Sequence, residues 1–209
     1  MTTPSEIGVL GIFWMMRLDR PLPVKPESHM ARIPATFRRA GSEDVEELAL
    51  AMGYDDTIPV LQRLSMGKHC YIARVEGKLV AYGWITFDKE DIGELGLSAR
   101  LNEREAYIWD CATLAAYRGR RLYPALLACM LDELQRAGFR RIWIGTDADN
   151  LPSQIGVALV GCQPVVEIIL AEDGQYATRA CPGVSLQDVL DAHYALFGNR
   201  DKSRIIFAD

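Results

Sequence analysis

The chain has 209 residues, a formal net charge of -5, 49% hydrophobic residues and 24% charged residues. That allows one domain with a full core, and it excludes a disordered chain, two ordinary domains and a general affinity for nucleic acid. The five cysteines (Cys70, Cys111, Cys129, Cys162 and Cys181) are odd in number and form no CxxC pair, which favours buried thiols in a reducing cytosol over disulfides or zinc. His29, His69 and His193 show no ligand spacing, so no metal is expected.

The apolar run "IGVLGIFWMM" (residues 7–16) follows Glu6 rather than a basic region and lacks a small-residue cleavage site. It reads as neither a signal peptide nor a bilayer span, and a cytoplasmic protein is expected. Residues 17–34, with four of the ten prolines, read as an extended connector. The expected organisation is an extension over 1–34, a domain over 35–182 and a helical extension over 183–209.

"ATFRRA" is a short strand candidate. "GSEDVEELALAMG" then has Ser42 as N-cap, acids in the first turn and Gly53 at its stop, which predicts a helix. A second short helix is expected over 57–66. "CYIARVEGKLVAYGWITFD" is two alternating runs joined by a turn over Glu76, Gly77 and Lys78, hence an antiparallel hairpin.

The stretch 88–105 reads as irregular and acidic, with Asp88, Glu90, Asp91, Glu94, Glu103 and Glu105 against few cations. It is either a solvated loop or a rim that attracts an amine. "EAYIWDCATL" is apolar on both sides and therefore a central strand. Leu122, Leu126, Leu127, Met130 and Leu134 repeat on one face of a helix over 122–137, and Gly138 stops it.

"RRIWIGT" is a further strand and "DNLPSQIGVALVG" a further helix, with Asn150 as N-cap. "PVVEIILAEDGQYATRAC" is a hairpin turning over Asp173 and Gly174, and "SLQDVLDAHYALFG" an amphipathic helix. The order of elements predicts an α/β fold with a mixed sheet. The first 16 residues and the tail "RIIFAD" pack either on each other or on a second subunit, as in a homodimer.

Between the central strand and the next helix stands "YRGRR". A helix N-terminus carries roughly half a positive charge, so cations there are unfavourable without a local anion. Free backbone N–H groups in a strand–turn–helix concavity suit phosphate oxygens, and Arg118, Arg120 and Arg121 would suit a diphosphate. The alternative is a solvated turn whose arginines pair with surface carboxylates. No GxxxxGK[ST], GxGxxG or GxSxG occurs, which leaves a different kind of pyrophosphate site.

Over residues 36–181 the chain resembles the GNAT acetyltransferase superfamily. "CATLAAYRGRRLYPALL" is similar to its acyl-CoA signature, a bulged central strand followed by a Q/R-x-x-G-x-G/A turn. "DNLPSQIGVALVGCQP" is similar to its later asparagine-led helix. Gly119 matches, Ala116 and Arg121 replace the usual Gln/Arg and Gly/Ala, and Tyr123 takes a position that is often glycine. The resemblance implies a GNAT-like, mostly antiparallel sheet flanked by helices, with acetyl-CoA as co-substrate and a small-molecule primary amine as acceptor.

It also implies that Ala112, Thr113 and Leu114 meet the pantetheine arm. Arg118, Gly119, Arg120, Arg121 and Leu122 would cradle the pyrophosphate, and Asn150 and Ser153 would lie beside the thioester. A non-catalytic acyl-CoA sensor or a protein lysine or N-terminal acetyltransferase are the alternatives.

Amine acetylation by direct attack needs a base, because an alkylammonium is not nucleophilic at neutral pH. Asp110, an acid in an apolar strand, is the first candidate, as base or substrate ligand, since burial would raise its pKa. A structural role is its alternative. Glu105 and Tyr107 are its rivals. The position that often carries a general-acid tyrosine in the superfamily is Val157, so Tyr123 is the stand-in, against a packing role. Cys111 and Cys162 read as inert core rather than acyl carriers.

Overall fold

The structure, a computed structural model, describes residues 6–21, 26–93, 96–171, 174–198 and 204–206. Sixteen helices and strands are defined among them: β1 (Glu6–Arg17), β2 (Thr36–Arg39), α1 (Val45–Ala51), α2 (Ile58–Ser65), β3 (His69–Val75), β4 (Lys78–Thr86), β5 (Lys89–Ile92), β6 (Leu97–Arg100), β7 (Glu105–Thr113), α3 (Leu122–Arg136), β8 (Arg141–Asp147), α4 (Leu151–Leu159), β9 (Gln163–Ala171), β10 (Tyr176–Ala180), α5 (Leu186–Phe197) and β11 (Arg204–Ile206). The main sheet runs β11-β10-β9-β1-β8-β7-β4-β3-β2. It is antiparallel except for the β7–β8 and β10–β11 pairs.

Two apolar layers sandwich this sheet. On one face α3 and α4 bury Leu122, Leu126, Leu127, Met130 and Val157 against Trp14, Ile108 and Ile144. On the other face α1 and α2 cover β3 and β4 with Leu48, Val60, Ile72 and Trp84, and α5 covers Phe13, Trp143 and Ile168. A fully buried leucine contributes about 1.5–3 kcal/mol, so the six large apolar residues that α3 buries from Leu122 to Leu134 fix it firmly on the sheet.

Several expectations change in three dimensions. The run at residues 7–16 forms most of β1, seated between β8 and β9. Its side chains enter both layers, Trp14 and Met16 into one and Phe13 and Met15 into the other, which is why the run has no polar face. At the other end α5 lies on β6 and β9, and β11 pairs with β10. The described parts of both terminal segments are thus built into the sheet without pairing to each other.

The expected loop over 88–105 contains the β5–β6 hairpin, a small sheet of its own, while Glu94 lies outside the described residues, as do Asp173 and residues 207–209. Ser42 does not cap α1. It opens a 3-10 turn, Ser42–Asp44, in which Asp44 accepts the Gly41 N–H at 2.8 Å.

Candidate active site

The parallel pairing of β7 with β8 runs only from Glu105↔Arg141 to Ile108↔Ile144. Beyond that point β7 stays on β4 as far as Thr113, and β8 stays on β1 as far as Asp147. The two strands therefore part, and their facing edges open a cleft through the middle of the sheet. A bulge assists the parting. Trp109 pairs with Trp84 and Ala112 with Tyr82, so Asp110 and Cys111 share the space opposite Gly83, with Asp110 at φ 42. Gly83 is required there, because a Cβ on it would fall 2.7 Å from the Cys111 sulfur.

On the α3 side the cleft meets the basic turn. Gly119 and Arg121 take left-handed backbone at φ 75 and φ 56, turning the chain sharply from β7 into α3. Proline at position 124 has no N–H to lose. The N–H groups of Gly119, Arg120, Arg121, Leu122 and Tyr123 reach no acceptor among the described residues. The Arg118 Nε donates to the Thr113 carbonyl at 3.2 Å, and Arg120 lies over the Tyr117 ring at 5.5 Å.

None of Arg118, Arg120 and Arg121 pairs with a carboxylate among the described residues. The Thr113 hydroxyl is buried and likewise has no partner among them. Unpaired N–H groups, unpaired guanidiniums and an orphaned hydroxyl at one cleft are what a multiply charged anion with a polar tail would satisfy.

On the opposite face the cleft opens into a cavity of about 420 Å³. Its walls come from α2 (Arg63), β5 (Glu90, Asp91), β7 (Tyr107, Trp109, Asp110), β8 (Gly145, Asp147) and β1 (Phe13). Arg63 is ion-paired with Asp110, and its guanidinium lies 4.5 Å from the Trp109 ring centre and 5.1 Å from that of Trp84. Lys68 packs on Trp109 at 4.6 Å and pairs with Glu90 at 2.7 Å. The Trp109 indole donates to the Thr86 hydroxyl at 3.0 Å. Trp109 is thus held by two cations and a hydrogen bond, a fixed wall rather than a mobile one.

A sequence model described as the Acetyltransferase (GNAT) family matches residues 36–155. The chain belongs to the GNAT acetyltransferase family. Among solved structures, a GNAT-family acetyltransferase from Colwellia psychrerythraea is similar over 79% of this chain and 56% of its own, at 14% identity and a TM-score of 0.56. A glucosamine N-acetyltransferase region of a fungal multi-domain GH3 β-N-acetylglucosaminidase is similar over 77% of this chain and 20% of its own, also at 14% identity and a TM-score of 0.56. The chain thus spans little more than half of one relative and a fifth of the other, and at such identity the likeness is one of fold. No curated protein sequence matches significantly.

In this GNAT domain the residues singled out from sequence fall in different places. Ala112, Thr113 and Leu114 end β7 at the cleft, next to the turn formed by Arg118, Gly119, Arg120, Arg121 and Leu122. The Asn150 Oδ1 accepts the Ser153 N–H at 3.1 Å as the cap of α4, and Ser153 lies 3.4 Å from the Tyr123 hydroxyl.

Tyr123 is packed between α3 and α4, where a Cβ on Gly156 would fall 2.5 Å from its ring. Burial, with Cys111 nearby, pushes the Tyr123 phenol up, and the Ser153 hydrogen bond only partly counters it. Val157 is fully buried beneath the same helices. Burial pushes the Cys111 thiol up to about 12, with Asp110 adding to it, and pushes Cys162 up as well. Neither suits an acyl carrier.

One expectation for the base, that Asp110 is buried, is corrected. Asp110 is exposed, not buried, because the bulge turns it out of the α3 layer toward Arg63, and Cys111 takes the inward position. Glu105 is buried, but at the closed end of the β7–β8 pair. There it is held by Arg141 at 3.1 Å, the Trp143 indole at 3.2 Å and the Asn102 N–H at 3.1 Å. Tyr107 does line the cavity.

Sequence reasoning missed Arg63, Phe13 and Asp147, which reach the cavity from three separate elements. Only the position of Asp147 at the end of an apolar strand was a local signal.

Proposed function

We propose that the protein transfers an acetyl group from acetyl-CoA to the primary amine of a small molecule by direct attack. The observation that carries this reading is the cleft between β7 and β8. An anion cradle lies on one of its faces and a cavity of small-molecule size, about 420 Å³, on the other, within the range of ~300–1,000 Å³ common for ligand sites.

Acetyl-CoA supplies the activated acyl group as a thioester. The chain's own part is to hold it. The N–H groups of residues 119–123 and the side chains of Arg118, Arg120 and Arg121 bind the diphosphate. The free edge of β7 at Ala112, Thr113 and Leu114 orients the chain that leads to the acyl group. Because Leu114 spends its N–H on the Val80 carbonyl at 2.9 Å, only a backbone N–H on the β7 edge away from β4 could serve a developing oxyanion, and the thiol, with an ordinary pKa near ~8.5, leaves without an obligatory acid.

The cavity on the other face admits the amine to the same cleft. Tyr107 and the Arg63-paired Asp110 stand at its rim, where they shape the entry of the acceptor.

The test is release of free thiol from acetyl-CoA with a panel of small amines and with peptides bearing lysine or a free N-terminus. Saturable, amine-dependent release with small amines supports the reading. Release only with peptides would move the activity to proteins. Tight CoA binding without release for any acceptor would leave a binding module.

A further inference from the structure

Four carboxylates line the cavity, and three of them are already engaged. Glu90 is paired with Lys68 and accepts the Thr86 hydroxyl at 2.5 Å, Asp91 takes Lys89 at 2.9 Å and Ser98 at 2.7 Å, and Asp110 takes Arg63. Asp147 has no cation and no side-chain hydrogen bond among the described residues. It is the last residue of β8, on the same side of that strand as Trp143 and Gly145, and it faces Gly11 of β1, which presents no side chain.

Fixed charge in the cavity therefore sums to one unpaired negative group at the open end of the cleft. An aromatic group borders it: Phe13, which lines the cavity with Tyr107, lies 6.0 Å from Tyr107 and 5.0 Å from the Trp143 ring beneath, ring centre to ring centre. Trp109 already carries two cations, Arg63 and Lys68.

Resting on the acetyltransferase reading, we propose that Asp147 is the residue that binds the acceptor's ammonium, and that the acceptor is a monoamine with a flat or aliphatic apolar body. One carboxylate compensates one ammonium. A polyamine would bring further charges against groups already paired with arginine and lysine, which costs desolvation without a new partner. The apolar body lies against Phe13 and Tyr107, with the amine toward Asp147 at the mouth of the cleft. β1 is part of this arrangement, since it supplies Phe13 and Gly11 from outside the matched family segment of residues 36–155.

The probe is 2-phenylethylamine, titrated calorimetrically into the full chain at neutral pH with and without CoA, with spermidine as the polycation. Asp149→Asn, two residues past the end of β8 and outside the cavity, controls for general charge. The expected result is saturable binding of 2-phenylethylamine. Asp147→Asn should weaken it by about 10- to 100-fold, the loss of one charge-assisted hydrogen bond. Asp149→Asn should change it by less than about twofold, and spermidine should bind no more tightly.

No binding, equal binding by Asp147→Asn, or preference for spermidine would overturn the assignment. Thiol release from acetyl-CoA with some other acceptor would then leave the acetyltransferase reading standing. Asp147-dependent binding without thiol release from any amine would instead sink that reading and keep this site.

Discussion

A Cβ on Gly145 would fall 2.9 Å from the Tyr107 hydroxyl oxygen, just past the last β7–β8 pair. The absence of a side chain at this point of β8 is what lets the tyrosine lie against the strand where both line the cavity. Gly145→Ala should tilt that ring into the cavity, lowering kcat/KM for the amine by about tenfold, since an ångström of misplacement is costly. CoA affinity should stay within about twofold. Steady-state kinetics beside CoA titration checks this, and an equal loss in both would place Tyr107 in the cofactor groove instead.

The arginines of the turn form no ion pair with the described residues, so they should matter to binding and not to folding. Arg118→Ala combined with Arg121→Ala should weaken CoA by about 100-fold at low salt, less at high salt, with Tm nearly unchanged. A fall in Tm of many degrees would mean that the two side chains hold the fold together.

Tyr123 lies between the helices and makes only a long contact, 3.4 Å, with Ser153. Tyr123→Phe should therefore keep stability within about 1 kcal/mol and lower turnover by less than about threefold. General acid catalysis is worth about 10²–10⁴-fold, so a fall of that size would restore the acid role. Gly156→Ala, which pushes on the ring, should cost about 1–3 kcal/mol by overpacking, read in chemical denaturation.

Asp44 is fully buried at the start of α1. Its carboxylate receives Arg38 at 2.6 and 2.7 Å, Arg74 at 2.7 Å and the Gly41 N–H at 2.8 Å. Burial alone would raise its pKa, and these bonds outweigh it, so the value is lowered to about 2 from 3.8. A depressed carboxyl stabilises the fold above the unfolded value, ~3.9, and loses that contribution as pH falls through the folded one. Asp44→Asn should thus cost about 3 kcal/mol at neutral pH, and the gap to the native protein should close between about pH 4 and 2. A gap that persists at pH 2 would assign the loss to packing.

The strand–turn–helix side of the cleft was legible because it is local. β7, the turn at Gly119 and α3 follow one another without interruption in the sequence, and their alternation, glycine and 3.6-residue period can be read directly. The cavity side was not, because it is assembled from distant segments. Phe13 and Asp147 meet only through the β1–β8 pairing, which no periodicity encodes, and β1 itself hid its strand character by burying both faces.

Asp110 misled for a different reason. Plain alternation puts it on the α3 side with Ile108, but one extra residue in the strand reverses the facing. Acidic composition likewise concealed the β5–β6 hairpin, whose carboxylates are largely spent on Lys68, Lys89 and neighbouring hydroxyls.

The central claim is that the N–H groups from Gly119 to Tyr123 receive a diphosphate. Amide hydrogen exchange at those residues, measured by NMR with and without saturating acetyl-CoA, tests it most directly. The account predicts that exchange at these amides slows by about tenfold or more on binding while α5 is unaffected. Unchanged exchange through residues 119–123 in a protein saturated with acetyl-CoA would contradict it.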